Sequence, residues 1–106
     1  MQPADMLTVV IAAYNEQEAL PLLHSRLSPV LDALEHDGTP MRVLYVDDGS
    51  SDDTWQRLQS LAAADQRISL LRLSRNFGKE SALTAGLDRV IDGAAMILDA
   101  DGQDPP

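Results

Sequence analysis

Residues 7–13 read Leu-Thr-Val-Val-Ile-Ala-Ala, a continuous run of apolar and β-branched side chains near the start of the chain. A run without polar alternation is typical of a strand that is buried on both faces of a parallel sheet. Similar runs follow at residues 41–46, 68–73 and 94–98. The sequence therefore predicts four strands of ordinary length.

The segment after the first run has the pattern of an amphipathic helix. Asn15 and Glu18 form a candidate capping pair at its start, and Asp37-Gly38 marks its end. Pro21 suits the first turn, and Pro29 is expected to bend the helix. Its apolar stripe comprises Leu20, Leu23, Leu27, Val30, Leu31 and Leu34.

Two further helices are predicted between the later runs. Residues 51–53 (Ser-Asp-Asp) offer a cap and first-turn acids for the second helix, in which Trp55 belongs to the apolar stripe. The third helix starts near Lys79, and its small residues suggest close packing on the sheet. The residues that it is expected to bury are Ala82, Leu83, Ala85, Gly86, Leu87 and Val90.

Strands that alternate with helices predict an α/β fold, with a parallel sheet, right-handed crossovers and helices on both faces. In such sheets ligands bind beyond the carboxyl ends of the strands. A polar cluster follows each of the four runs, at residues 14–16, 47–50, 74–76 and 99–101. The sequence therefore predicts one site at one edge of the sheet.

The cluster Asp99-Ala100-Asp101 is the clearest candidate for a metal site. In an extended segment Asp99 and Asp101 point to the same side, and Gln103 continues the row. Converging carboxylates repel each other unless a cation lies between them, and an all-oxygen set suits Mg²⁺ or Mn²⁺. The alternative is a solvated acidic turn, because Asp-Gly and Pro-Pro are turn signals.

Three residues after the first two runs are candidates for ligand contacts. The Asp48 carboxylate is suited to accept a hydrogen bond from a sugar hydroxyl or a base N–H. The alternative is that residues 47–52 form only a turn and a helix cap, with Ser51 or Asp52 as the capping residue. Tyr14 can pack against a nucleobase or simply lie at the rim of the core. Glu16 is placed to reach a ribose or a base edge.

Arg75 and Lys79 flank Asn76-Phe77-Gly78, a loop that enters the third helix. Cations and helix N-terminal amides in this position suit a diphosphate, and the alternative is an ordinary surface loop. No chemistry is assigned to His24 or His36, which lie on the first helical segment.

Composition narrows the class of protein. The chain has 106 residues, 44% of them hydrophobic and 24% charged, as in a small globular domain. A net charge of −9 argues against a nucleic-acid partner but is compatible with phosphorylated ligands that bind through a cation. The absence of cysteine excludes disulfides, and neither a signal peptide nor a membrane span is evident, so we expect a cytoplasmic chain.

In order and spacing, the motifs of the chain resemble those of the family 2 glycosyltransferases, especially the dolichyl- or polyprenyl-phosphate sugar transferases. The resemblance extends over essentially the whole chain. Its motifs are Val-Val-Ile-Ala-Ala-Tyr-Asn-Glu (9–16), Val-Asp-Asp-Gly-Ser-Ser-Asp (46–52), Leu-Ser-Arg-Asn-Phe-Gly-Lys-Glu (73–80) and Leu-Asp-Ala-Asp-Gly-Gln-Asp-Pro-Pro (98–106).

The resemblance implies a GT-A, Rossmann-like fold of which residues 1–106 form the nucleotide-sugar-binding N-terminal half. It implies that the Asp48 carboxylate binds an N–H group of the base. The other expected roles are a base and ribose pocket of Ala12, Tyr14 and Glu16, and a catalytic Mg²⁺ or Mn²⁺ site of Asp99, Asp101 and Gln103. Ala12 and Gly102 depart from the family pattern, which often has proline and a bulky apolar residue at these positions.

The reaction implied by the resemblance is transfer of a sugar, with inversion, from a UDP- or GDP-linked donor to a polyprenyl-phosphate acceptor in the synthesis of a cell-envelope glycan. Because no helix closes the domain after the acidic cluster, we expect the domain to be incomplete and this chain alone to be inactive in transfer. The full-length protein is expected at the cytoplasmic face of the inner membrane, with membrane contact only through its C-terminal part.

Two other readings remain open at this stage. Residues 96–102 look like the nucleophile loop of a haloacid-dehalogenase-type phosphatase, with Asp99 attacking phosphorus and Asp101 as acid and base. The position of the loop late in the chain and the presence of Gln103 oppose that reading. The chain can also be a non-catalytic nucleotide-binding module, although no Gly-x-Gly-x-x-Gly follows the first strand.

Overall fold

The computed structural model of the protein describes residues 6–90 and 93–99, and it confirms the predicted α/β fold. Each strand lies where the sequence pattern places it, with ends that differ by one residue at most, and one helix lies in each interval in which a helix is predicted. In chain order the elements are β1 (Leu7–Ala13), α1 (Ala19–His36), β2 (Met41–Asp47), α2 (Thr54–Ala64), β3 (Ile68–Arg72), α3 (Lys79–Leu87) and β4 (Ala94–Asp99).

The four strands form a parallel sheet in the order β3-β2-β1-β4. The chain moves outward from β1 to β2 and β3, and then returns to place β4 on the other side of β1. This reversal makes the gap between β1 and β4 the topological switch point, outside which ligands of open α/β sheets bind. Ala12 is paired with Val46 of β2 on one side and with Asp99 of β4 on the other.

The sheet is covered on both faces, which explains the continuous apolar run of β1. Val9 and Ile11 face α1 and α2, whereas Val10 faces α3 together with Val46 of β2. Helix α3 packs closely on the sheet through Ala82 and Gly86, as its small residues predict, but Leu87 is exposed rather than buried. A Cβ atom added to Gly86 would lie 2.6 Å from Val10 Cγ1.

The start and the stripe of α1 differ from the prediction. The helix begins at Ala19, and no side chain caps its N-terminal N–H groups, so the Asn15–Glu18 capping pair is wrong. Val30 is 53% exposed rather than part of the stripe. The buried face instead includes His24, because it is spaced four and three residues from its buried neighbours on the helix. The buried residues are Leu20, His24, Leu27 and Leu31.

His24 belongs to a polar cluster that joins α1 to the end of α2 and the start of β3. Its Nδ1 lies 3.1 Å from Tyr45 Oη, and its Nε2 lies 3.2 Å from Asp65 Oδ2. Arg67 holds the same carboxylate through two bonds, Nε to Oδ1 at 3.0 Å and Nη2 to Oδ2 at 2.9 Å. Nη1 of Arg67 also bonds Asp32 of α1 at 2.8 Å, so the cluster connects α1 to β2 and to the segment between α2 and β3.

Helix α2 begins at Thr54, which corrects the expectation of acids in its first turn. The acids lie before the helix, and the Asp52 carboxylate accepts hydrogen bonds from the N–H and the hydroxyl of Thr54. Trp55 packs at the edge of the core, with the Arg72 guanidinium 5.1 Å from its ring centroid. Among the helices of the described segments, none has the length and apolar character needed to cross a membrane.

Candidate functional site

Three loops leave the carboxyl ends of the first three strands on one edge of the sheet: the β1–α1 loop (14–18), the β2–α2 loop (48–53) and the β3–α3 loop (73–78). Tyr14 is 44% exposed at this edge, and Glu16 is partly buried. Because parallel strands end together, the loops carry Tyr14, Glu16, Asp48 and Arg75 on the same side of the molecule.

The β2–α2 loop is bonded to the β1–α1 loop. The Ser51 N–H donates to Asn15 Oδ1 at 2.9 Å, and the Asn15 N–H donates to Ser50 Oγ at 2.9 Å. The Glu16 N–H donates to Thr54 Oγ1 at 2.8 Å, and the Asp53 N–H donates to Gln17 Oε1, also at 2.8 Å. We call this set of contacts between residues 15–17 and 50–54 the loop bridge. It fixes the backbone on both sides of Glu16.

Within the loop bridge the Asp52 carboxyl is held in its ionised form. Burial alone raises its pKa, but hydrogen bonds from the Thr54 hydroxyl and N–H and from the Gln17 N–H lower that pKa below its ordinary value. An ionised acceptor makes the stronger hydrogen bonds, so the negative charge stabilises the bridge.

On its other side the β2–α2 loop is bonded to the β3–α3 loop through Asp48. This carboxylate is only 1% exposed. Its Oδ1 accepts the Phe77 N–H at 2.9 Å, while its Oδ2 accepts the Gly78 N–H at 3.0 Å and the Asn76 side-chain amide at 2.9 Å. The structure therefore gives Asp48 the role of anchoring a loop. Its predicted contact with a base stays a prediction.

Asp47, the last residue of β2, carries the one buried side-chain oxygen that has no hydrogen-bond partner in the described part of the chain. It is fully buried, and its Oδ1 accepts the Ser50 N–H at 3.0 Å. Its Oδ2 has no hydrogen-bond partner in the structure, and Arg72 Nε lies 3.8 Å away. The negative charge of Asp47 attracts the Arg72 guanidinium toward the carboxyl end of β2. The same guanidinium also lies over the Trp55 ring.

The β3–α3 loop supplies positive charge. The Arg75 guanidinium lies 4.5 Å from the centroid of the half-exposed Phe77 ring. Lys79 is the exposed first residue of α3, where helix N–H groups also point outward. An anionic group could therefore bind here to the positive charges of Arg75 and Lys79 and to the N–H groups at the start of α3.

The predicted metal ligands lie largely outside the described residues. Asp101 and Gln103 are beyond residue 99, and only the backbone of Asp99 is described, paired with Ala12 at the switch point. Within the described segments no group of three or more His, Asp or Glu side chains is arranged to hold a metal. The donor set of two carboxylates and an amide still fits Mg²⁺ or Mn²⁺, because both prefer oxygen ligands.

Sequence reasoning missed the residues that join the loops, above all Asn15, Asp52 and Asn76. Their partners in the neighbouring loop lie 28 to 37 residues away, so no local pattern reveals the contacts between loops. The available signal was the type of residue. Asn and Asp side chains readily bond backbone N–H groups in turns, and each of the three lies directly beyond a strand or within the following loop.

Comparison with known proteins identifies the family of the chain. Residues 8–106 match the model of the family described as glycosyl transferase family 2. A protein of Synechocystis sp. named as an uncharacterized glycosyltransferase is 42% identical over 104 residues. The undecaprenyl-phosphate 4-deoxy-4-formamido-L-arabinose transferase of Pectobacterium carotovorum is 40% identical over 101 residues. Each match covers 94% of this chain and 30% of the relative.

Solved structures show the same fold. A mannosyltransferase from Pyrobaculum calidifontis, solved with GDP-Man and Mn²⁺, has a TM-score of 0.68 at 28% identity, over 94% of this chain and 28% of that one. S. aureus TarS 1-349 has a TM-score of 0.64 at 21% identity, over 91% of this chain and 27% of that one, which shows the fold alone. These matches leave the phosphatase alternative without support. The chain belongs to glycosyl transferase family 2, a family of sugar-transferring enzymes, and has their GT-A fold.

Proposed function

We propose that residues 1–106 form the nucleotide-sugar-binding part of a glycosyltransferase that moves a sugar from a UDP- or GDP-linked donor to a polyprenyl-phosphate acceptor. The observation that carries the proposal is the placement of Asp99 beside Ala12 at the topological switch point, on the edge where the three loops meet. Family membership supports sugar transfer in general. The donor and the acceptor are the parts that we propose.

The nucleoside would lie across the carboxyl end of β1. Tyr14 offers an exposed ring for stacking on the base, and Glu16 offers a carboxylate for a ribose hydroxyl or a base edge. Ala12 would line the floor of this pocket. Asp48 would hold a base N–H with the acceptor capacity that remains, since a carboxylate has about four lone-pair positions and three hydrogen bonds to its oxygens are present.

The diphosphate would lie between the β3–α3 loop and the end of β4. Arg75 and Lys79 supply positive charge on one side. Asp99, Asp101 and Gln103 would hold Mg²⁺ or Mn²⁺ on the other side. When bound, the cation supplies Lewis-acid stabilisation of the departing diphosphate. The Mn²⁺ in the Pyrobaculum calidifontis mannosyltransferase structure supports this choice of metal.

The transfer itself needs little more than positioning by this half of the enzyme. The bond from the anomeric carbon to the diphosphate oxygen breaks, while a bond to an acceptor phosphate oxygen forms on the opposite face, so the configuration inverts. That oxygen is already anionic, so no strong general base is required. The similarity to the undecaprenyl-phosphate 4-deoxy-4-formamido-L-arabinose transferase of Pectobacterium carotovorum supports a polyprenyl-phosphate acceptor. The chain covers 30% of that relative, so acceptor binding and membrane contact at the cytoplasmic face are proposed for the whole protein and not for residues 1–106.

Asp101→Asn tests the metal part of the proposal. An amide cannot supply the second negative charge that holds the cation, so we expect manganese-dependent binding of UDP and GDP to disappear in isothermal titration calorimetry. Circular dichroism should show that the fold is retained. Asp104→Asn is the matched control, because it removes one charge from the same cluster without removing a proposed ligand. Unchanged binding by Asp101→Asn would remove that residue from the site.

A further inference from the structure

Asn15 has an unusual backbone conformation at the centre of the β1–α1 loop. Its φ of 51° places it in the left-handed region, and it is the one non-glycine residue there among residues 6–90 and 93–99. An L-residue reaches this region at a cost, which asparagine bears more easily than most. The residues on either side, Tyr14 and Glu16, are those that we propose to contact the nucleoside. The conformation of Asn15 therefore sets the directions in which both leave β1.

The contacts of the Asn15 side chain hold this conformation in place. Its Oδ1 accepts the Ser51 N–H at 2.9 Å, with longer contacts of 3.4 Å to Ser51 Oγ and to the Asp52 N–H. Its own N–H donates to Ser50 Oγ at 2.9 Å. The Asn15 side chain thus accepts hydrogen bonds from the second half of the β2–α2 loop, while its backbone N–H donates to the same loop. A glycine would adopt the conformation as easily, but it would make no contact through a side chain.

The rest of the loop bridge depends on the same alignment. The Glu16 N–H reaches Thr54 Oγ1 at 2.8 Å, and Thr54 is fully buried at the start of α2. The Thr54 hydroxyl is itself bonded to the Asp52 carboxylate. The β1–α1 loop is therefore held in place by the residues at the start of α2. The Tyr14 ring takes no part in these contacts.

We propose that Asn15 is a positioning residue of the nucleoside subsite: through the loop bridge it holds Tyr14 and Glu16 in the arrangement that binds the nucleoside, without contacting the ligand itself. The inference rests on the proposed function. A site that is ordered before binding avoids the entropy of ordering two side chains during binding. Loss of the bridge is therefore expected to weaken nucleotide binding by roughly tenfold.

Three substitutions separate the side-chain contact from the backbone conformation. Asn15→Gly keeps the left-handed conformation and removes the acceptor. Asn15→Asp keeps both the conformation and an acceptor oxygen. Asn15→Ala removes the acceptor and strains the backbone. With Mg²⁺ present, we expect the Kd for UDP or GDP to rise roughly tenfold in the Gly and Ala variants and about twofold in the Asp variant.

Inorganic pyrophosphate distinguishes a positioning role from a general loss of structure. It engages the proposed diphosphate subsite but not Tyr14 or Glu16, so its Kd should change by less than about twofold in every Asn15 variant. Asp65→Asn is the control for stability, because it weakens the polar cluster far from the loop bridge and should leave both Kd values unchanged. Chemical-shift titration of the ¹⁵N-labelled chain measures these affinities and reports the fold of each variant.

Two results would overturn the inference alone: nucleotide binding by Asn15→Gly at the affinity of the unaltered chain, or an equal loss for nucleotide and pyrophosphate in that variant. Failure of the unaltered chain to bind UDP or GDP would instead overturn the proposed function, and the inference with it.

Discussion

Gly49 lies where the backbone of the β2–α2 loop packs directly against that of the β3–α3 loop. Its φ is 71°, and a Cβ atom added there would lie 2.2 Å from the Arg75 carbonyl carbon. That distance is shorter than any contact that a real Cβ atom makes, so the Arg75 backbone would have to move to admit a side chain at Gly49. The neighbouring Asp48 carboxylate can reach the Phe77 and Gly78 N–H groups because the loops approach so closely.

Gly49→Ala should therefore destabilise the protein more than strain alone explains. Gly38→Ala is the matched control, since Gly38 has a φ of 97° but open space around its Cβ position. We expect the free energy of unfolding in urea to fall by about 1 kcal/mol for Gly38→Ala and by about 3 kcal/mol for Gly49→Ala. Equal losses would show that the β3–α3 loop moves aside without cost.

At the residue scale the sequence identified the polar clusters but not their partners. The sequence predicts that Asp48 contacts a ligand, but it does not predict that the Asp48 carboxylate also anchors a loop that begins 25 residues later. Asn15 was assigned to a helix cap, and its side chain instead bonds the β2–α2 loop. Such choices depend on which loops touch, and that is decided by strand order rather than by local pattern.

At the scale of elements, the strands were the easiest to predict and the helix starts the hardest. The run at residues 7–13 coincides with β1 because apolar and β-branched residues continue without polar alternation in a strand that is buried on both faces. Helix α1 has no such marker at Ala19, where it begins without a side-chain cap. His24 was given no role, although its spacing from Leu20 and Leu27 places it on the buried face.

The polar cluster around His24 links these elements through charge. The hydrogen bond from the Arg67 guanidinium lowers the pKa of the Asp65 carboxyl far below its ordinary value, against partial burial, which raises it. Burial raises the pKa of the nearby Tyr45 hydroxyl, and the negative charge of Asp65 raises it further. Tyr45 therefore stays neutral at pH 7, and Asp65 carries the charge that Arg67 requires.

Asp65→Asn should lower stability at pH 7 by roughly 2 kcal/mol, because it removes the charged partner of Arg67. A carboxyl whose pKa is depressed by folding stabilises the protein above the pKa of the unfolded chain, near 3.9 for Asp, and the stabilisation is lost as the pH falls toward the folded value. The difference in unfolding free energy between the variants should therefore shrink below about pH 4 in urea titrations.

Asp32→Asn is the control for this prediction. Asp32 also bonds Arg67, but its side chain is 68% exposed, so its loss should cost less than about 1 kcal/mol at any pH. A difference between the unaltered chain and Asp65→Asn that is constant from pH 7 to about pH 2 would contradict the assigned ionisation of Asp65.

At the scale of the whole molecule, the strand order brings the four motifs that follow the strands to the same edge of the sheet. The alternation of strands and helices predicted that polar residues gather at the carboxyl ends, and the structure agrees. The alternation could not say whether β4 lies beside β1 or beside β3. Its position beside β1 pairs Asp99 with Ala12 and so places the start of the acidic cluster at the switch point.

The central claim, that a metal and a nucleotide bind together at the carboxyl ends of β1 and β4, is tested most directly by paramagnetic broadening. A trace of Mn²⁺ is added to the ¹⁵N-labelled chain with and without UDP or GDP, and the loss of each amide signal is measured. We predict nucleotide-dependent broadening centred on residues 12–16 and on Asp99 and the residues after it, with Leu7 and Met41 at the opposite edge unaffected. Broadening centred on Asp32 and Glu35, or broadening that does not depend on the nucleotide, would contradict the account.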